Sequence, residues 1–311
     1  MADFDRPALV QFAQDSISRG SKSFRFASRL FDRITRERVW LLYAWCRKCD
    51  DMADGQDHGG AMAAVTDPQE SLAAIRTLTA KALAGMPTGE PAFDCLGVVA
   101  RECGITARMA EDVIEGFALD AADWHPRRES DLYQYCYHVA GAVGVMMAVV
   151  MGVPADDDAT LDRACDLGLA FQLANIARDI AEDDAAGRCY LPDDWLATLD
   201  IGPGEHMKPH NRKKLALMGR WLADEAEQYE ASARVGAAHL PLRARWAVLS
   251  AAGIYGEIAR KVRAADSHAW DQRIFTSRPE KFRWVRKGFV DAVANNPRAI
   301  DRAALWTRAR V

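Results

Sequence analysis

Proline placement constrains this chain more than any other feature. Its twelve prolines leave uninterrupted windows at 8–67, 127–153, 155–191, 210–240 and 242–278. A proline inside a helix removes a hydrogen bond and clashes with the turn before it, so such windows are where multi-turn helices fit. They are rich in Ala, Leu, Arg and Glu, which lose little side-chain freedom in a helix. Apolar residues recur there at spacings of three and four, as in Val39, Leu42, Tyr43 and Cys46, and again in Leu169, Ala170, Leu173, Ala174 and Ala177. No run of alternating strands joined by hairpin turns competes with this pattern. Turn-rich breaks at 55–60, 86–91, 153–158, 187–192, 201–209 and 277–279 do not read as flexible linkers. The expectation is one all-α domain over residues 1–311, a bundle of about ten helices.

Charge and cysteine content narrow the class. Forty Lys and Arg against 44 Asp and Glu leave a formal charge of -4, without the basic excess of a nucleic-acid binder. The N-terminus has no basic lead followed by an apolar run, so no secretory signal is expected. The longest apolar stretch, Val139–Val153, is glycine-interrupted and short of the ~20 residues of a membrane span. Seven scattered cysteines are no disulfide framework, and a reducing, cytoplasmic compartment fits them. Cys46-Arg-Lys-Cys49 is a CxxC inside a helical pattern. Without a second pair it reads as two buried thiols before it reads as a redox or zinc motif.

The acids matter by position. Tyr43-Ala-Trp-Cys-Arg-Lys-Cys-Asp-Asp-Met-Ala-Asp54 and Gln172-Leu-Ala-Asn-Ile-Ala-Arg-Asp-Ile-Ala-Glu-Asp183 each contain Asp-x-x-x-Asp. Residues four apart share one helix face, and Asn175, Asp179 and Asp183 make one continuous stripe. Like charges so placed repel, and an oxygen-preferring divalent cation such as Mg²⁺ answers them by bridging carboxylates to phosphates. Arg47 lies three residues before Asp50, and Arg178 adjoins Asp179. Acids for a metal plus guanidinium groups for phosphate oxygens make a diphosphate site. The plainer alternative for either cluster alone is a solvated acidic face.

Six blocks in order then resemble the squalene/phytoene synthases over essentially the whole chain, its bacterial phytoene-forming members most. They are Ser21–Phe31, Tyr43–Asp54, Tyr135–Gly144, Leu169–Asp183, Gly187–Pro192 and Leu240–Ala247. The resemblance implies the isoprenoid synthase helical bundle around a deep apolar cavity. It implies a prenyltransferase that condenses two geranylgeranyl diphosphates head to head, through prephytoene diphosphate, to phytoene. Dehydrosqualene or squalene from two farnesyl diphosphates is the open alternative. By position, Asp50, Asp54, Asn175, Asp179 and Asp183 match the family's metal and diphosphate residues, and Arg47 and Arg178 its diphosphate-contacting arginines. Ser21, Lys22, Ser23 and Phe24 match its flap. Tyr135 and Gln172 match polar cavity residues, and Tyr255 and Arg273 are looser matches toward the C-terminus. Mg²⁺, with Mn²⁺ as a substitute, is implied; the last step loses a proton, so no NADPH is expected. His138 departs from the family, whose members often carry Tyr or Gly there.

Other charged groups read as ordinary surface. Asp156–Asp158 and Asp193-Asp194 follow prolines and suit helix N-termini. Glu111, Asp112 and Glu115 read as a solvated face. Arg278, Lys281, Arg283, Arg286 and Lys287, interleaved with Phe282 and Trp284, suit either a surface helix or a peripheral contact with an anionic membrane. No nucleic-acid partner is expected; a downstream phytoene desaturase is compatible with the implied pathway.

Overall fold

The computed structural model describes residues 4–20, 27–54, 68–122 and 124–310, with the Asp54 side chain excepted. Ser21, Lys22, Ser23 and Phe24 therefore lie outside the described residues. The described residues hold twelve α-helices and no strand. In chain order these are α1 (Arg6–Gly20), α2 (Arg33–Asp54), α3 (Pro68–Leu83), α4 (Pro91–Cys103), α5 (Ala107–Ala121) and α6 (Glu129–Cys136). After them come α7 (Ala142–Val150), α8 (Asp158–Ala185), α9 (Asp193–Thr198), α10 (Arg212–Ala237), α11 (Leu242–Ala265) and α12 (Arg278–Ala294). A π-helical turn, Tyr137–Gly141, joins α6 to α7. That turn and the six-residue α9 raise the number of helices above the expected ten. His138 sits in the π-turn, buried beside Tyr137, not in a regular helix.

The chain forms two compact units, one of residues Met1–Ala122 and Val145–Leu161, the other of Asp123–Gly144 and Asp162–Val311. In the first unit Trp45 is fully buried and donates its indole N–H to Thr79 Oγ1 at 3.2 Å, tying α2 to α3. Around it Ile17, Leu41, Leu42, Phe93, Leu96 and Ile114 are buried, the apolar faces that the three-and-four spacing marks. Arg6 reaches Glu37 at 2.7 Å and Glu102 at 2.5 Å, fastening α1 to α2 and α4. Asp32 caps α2, its carboxylate accepting the Thr35 N–H at 3.0 Å. The face at 111–115 is solvated as expected, with Glu111 and Glu115 47 % and 43 % exposed, and it carries surface ion pairs. Arg76 of α3 bonds Glu111 and Glu115, and Arg108 bonds Asp112.

In the second unit α8 packs backbone to backbone on the π-turn. A Cβ at Gly168 would stand 2.3 Å from the Ala140 carbonyl oxygen, so only glycine allows this approach. Asp157 caps α8, accepting the Thr160 N–H at 3.1 Å, and Asp193 and Asp194 open α9, as acids after prolines should. Farther along, the tail folds back on α8. Arg302 holds Asp166 with two bonds of 2.8 and 2.7 Å, while Arg308 and Arg310 reach Asp162 at 2.9 and 2.7 Å. Both aspartates are buried. Trp306 meets the Tyr137 ring at 5.5 Å. On α12, Trp284 is no part of an outward basic face. Its N–H bonds Glu257 at 3.0 Å, and the Arg260 guanidinium covers its ring at 4.9 Å. Phe275, Phe282, Phe289, Val290 and Val293 do face solvent.

All seven cysteines are free thiols, and Cys49 is fully buried. No helix of the described residues is long and apolar enough to cross a membrane.

Candidate functional site

In the first unit the face of α2 toward α1 carries Tyr43, Arg47, Asp50 and Asp51. Arg47 donates from Nε to Asp51 Oδ1 at 3.0 Å, and its Nη2 stands 3.5 Å from Asp50 Oδ2. The nearer partner is thus Asp51, four residues on, and not Asp50. Asp50 is left 44 % exposed against 11 % for Asp51, so one carboxylate holds the arginine while the other faces outward. Burial pushes the Tyr43 phenol up to about 12, with Arg47 opposing the shift. Gly20 closes α1 directly over this face: a Cβ there would lie 2.3 Å from the Tyr43 hydroxyl and 3.4 Å from Arg47 Cδ. Gly20 stands outside the four-residue spacing of the acids, and its place just before Ser21 is the sequence signal that points to it.

In the second unit α8 presents Gln172, Asn175, Arg178, Asp179 and Asp183, all half-buried. Arg178 binds Asp179 with both Nε, at 2.7 Å, and Nη2. Arg273 places Nη2 at 3.0 Å from Asp179 Oδ1 and Nη1 at 3.4 Å from Glu182 Oε1. Asp179 therefore sits between two guanidinium groups. Burial first, and the neighbouring Asp179 charge second, push the Asp183 carboxyl up to about 6. Arg188 pulls the other way and donates its backbone N–H to the Asp183 carbonyl at 2.8 Å, ending the helix. Tyr255 stacks on Phe171 at 4.2 Å, and burial raises its phenol while the Arg178 charge opposes. The Trp270 N–H bonds the Ala177 carbonyl at 3.0 Å, fixing the segment that carries Arg273. Tyr135 is sandwiched between Trp124, at 5.4 Å, and Tyr190, at 4.8 Å.

The second unit thus joins Arg178, Asp179, Asp183, Tyr255 and Arg273 in one charged group. Glu182 and Arg188 belong to it as well, although only their closeness to Asp179 and Asp183 in sequence pointed to them. Asn175, Asp179 and Asp183 offer only hard oxygen donors on one stripe. The raised carboxyl of Asp183 reflects its burial first and the Asp179 charge second, both of which a bound cation would offset. Both fit a divalent cation that takes its remaining ligands from water and phosphate. Among the described residues no three His, Cys, Asp or Glu side chains converge into a ready metal cage.

An all-helical chain with two aspartate–arginine clusters matches the isoprenoid synthase helical fold of solved neighbours. A dehydrosqualene synthase superposes with a TM-score of 0.81 at 26% identity, over 93% of this chain and 98% of that one. A squalene synthase from Alicyclobacillus acidocaldarius gives 0.75 at 22% identity, over 85% and 97%. The squalene/phytoene synthase family model matches residues 17–280, and this chain belongs to that family. A phytoene synthase of Pseudescherichia vulneris is 46% identical over 97% of this chain and 99% of its own length. A 15-cis-phytoene synthase of Pantoea ananas is 45% identical over 98% and 99%.

Proposed function

We propose that this chain is a prenyltransferase that condenses two geranylgeranyl diphosphates head to head, through prephytoene diphosphate, to phytoene, releasing diphosphate. The observation that carries the reading is the 45–46% identity, over nearly the whole chain, to relatives named phytoene synthase. In this reading residues 1–311 act as one domain around an apolar cavity. Asp50, Asp54, Asn175, Asp179 and Asp183 are the residues that would hold Mg²⁺, or Mn²⁺ in its place, and the ion would supply positive charge opposite the leaving diphosphate.

The protein groups do the rest. Arg47, Arg178 and Arg273 bind diphosphate oxygens, exchanging their carboxylate partners for phosphate as substrate enters. Ser21, Lys22, Ser23 and Phe24 cover the mouth. Gln172 and Tyr255 orient the diphosphates, and Tyr135, its ring held between Trp124 and Tyr190, offers the cavity its hydroxyl as a polar group. The buried Val145, Met146, Val149 and Val150 of α7 supply apolar surface that keeps water from quenching those cations. The last step is loss of a proton, so NADPH has no role.

The reading places the enzyme in the cytoplasm, peripheral to a membrane that takes up a C40 hydrocarbon, with a phytoene desaturase consuming the product. Exposed Phe275, Phe282, Phe289, Val290 and Val293 beside Arg278 and Arg286 support the membrane contact. The test is incubation of purified protein with Mg²⁺ and geranylgeranyl or farnesyl diphosphate, without NADPH, followed by product identification. A C40 triene from the longer substrate supports the reading; product from only the shorter one overturns it.

A further inference from the structure

Among the described residues, Arg29 and Arg36 have no acidic partner, unlike Arg33 and Arg38 close by in sequence. On α2, Arg33 pairs with Glu37 at 2.9 Å and Arg38 with Glu102 at 2.9 Å. Arg36, between them, makes no ion pair or side-chain hydrogen bond among the described residues. Its guanidinium lies 5.5 Å from the Trp40 ring centroid, and its Nε is buried without an acceptor. Arg29, in the turn ahead of α2, also has no acidic partner among the described residues. The two arginines line a cavity of about 220 Å³ together with Gln14, Ile17, Ser18 and Trp40. Among the described residues no carboxylate lines it, and those nearby in sequence are engaged elsewhere. Asp15 accepts from Gln11 at 3.1 Å, Asp32 from Thr35 at 3.0 Å, and Glu37 from Arg6 and Arg33.

We propose that this cavity is a binding site for a phosphate-type oxyanion, separate from the Arg47 cluster. A guanidinium fork matches phosphate oxygens, and a buried N–H without an acceptor gains most from a ligand that supplies one. Arg36 is held ready: Trp40 lies under it, and the indole is fixed by its N–H bond to Ser28 Oγ at 3.0 Å. Gln14 and Ser18, polar residues of α1, also line the wall. The volume falls below the ~300 Å³ at which pockets begin to enclose whole organic ligands, so a head group enters and a prenyl chain does not.

On α2, residues 36, 40, 43 and 47 share one face, with 36 and 47 about 16 Å apart along the axis. Diphosphate released near Arg47 would thus meet a second guanidinium site three turns toward the start of the helix. Binding itself does not depend on the proposed reaction; naming free diphosphate as the source does. The phosphate head group of an anionic lipid is the other source of the same chemistry.

The test uses the full chain in EDTA, without prenyl substrate, so that its outcome is independent of catalysis. Inorganic diphosphate binding is measured by calorimetry, and capture by phosphatidylcholine vesicles containing phosphatidic acid by flotation. Wild type, Arg29→Gln with Arg36→Gln, Arg29→Gln alone and Arg47→Gln are compared, with folding checked by circular dichroism. Expected is diphosphate binding by wild type, weakened at least tenfold in the double variant and retained in Arg47→Gln. Exposed Arg29→Gln alone, which leaves the core intact, should weaken it about threefold, and turnover with Mg²⁺ should be unchanged in both variants. Vesicle capture lost in the double variant, with no binding of free diphosphate, also supports the site and names a lipid head group as its source. The proposal is overturned if wild type binds neither probe, if the double variant binds as wild type does, or if only Arg47→Gln loses binding.

Discussion

Asp183 carries a proton more tightly than a free aspartate because burial and Asp179 both oppose its charge. With its folded value near 6, above that of the unfolded chain, the native state holds more protons between roughly pH 4 and 6. Stability contributed by this group is therefore full at low pH and is lost as pH rises through that window. Asp183→Asn should stabilise the metal-free protein at pH 7 by on the order of 1 kcal/mol after solvent screening, seen as a higher melting temperature. The gain should shrink toward zero near pH 4 in a thermal melt series. The same variant should lower turnover by at least about a hundredfold if the carboxylate serves the diphosphate chemistry. A gain that persists at pH 4 would exclude the charge as its cause. At this scale the aspartates were legible from four-residue spacing. Their partners were legible only when local: Arg178 adjoins Asp179, whereas Arg273 reaches it from a distant segment that no spacing rule connects. Asp162 and Asp166 are a further Asp-x-x-x-Asp on α8, answered by arginines of the tail and not by a cation site.

Helix α8 shows how an element is positioned by what it lacks. Gly168→Ala would drive a methyl group into the Ala140 carbonyl and the Gly141 Cα, both backbone atoms that cannot swing aside. Expected is a loss of about 2–3 kcal/mol in urea denaturation. Turnover should fall as well, because the π-turn adjoining Tyr135 must shift. Wild-type stability would show that the two backbones separate at little cost. Proline windows predicted where long helices lie but not how they divide. Window 8–67 holds both α1 and α2, while window 127–153 is broken by the π-turn with no proline in it. Window 155–191 holds one unbroken 28-residue helix. The first division carries local marks, Gly20 at the end of α1 and the Asp32 cap of α2, whereas the π-turn lies where α8 approaches through Gly168, which no local signal in its own window announces. Charge patterning marked the solvated face at 111–115 but not its partner, since Arg76 comes from another helix.

Across the whole molecule a formal charge of -4 conceals a surface that is locally apolar and cationic along α12. Phe282→Ser with Phe289→Ser should reduce co-sedimentation with anionic vesicles severalfold while leaving turnover of detergent-dispersed substrate intact. Unchanged sedimentation would remove α12 from membrane contact. The tail makes a separate prediction. Arg302→Ala would strand the buried Asp166 carboxylate and cost about 3–5 kcal/mol, measured as a shift in the denaturation midpoint. Asp166→Asn in that background should recover part of the loss. The order of synthesis gives the tail a further consequence. Asp162 and Asp166 emerge 136 or more residues before the arginines that neutralise them. At roughly 5–20 residues per second, the nascent chain carries these two uncompensated charges on α8 for on the order of ten seconds. The second unit therefore completes these ion pairs only after translation has reached the tail. A chain cut short before residue 302 would leave both aspartates without the arginines that pair with them.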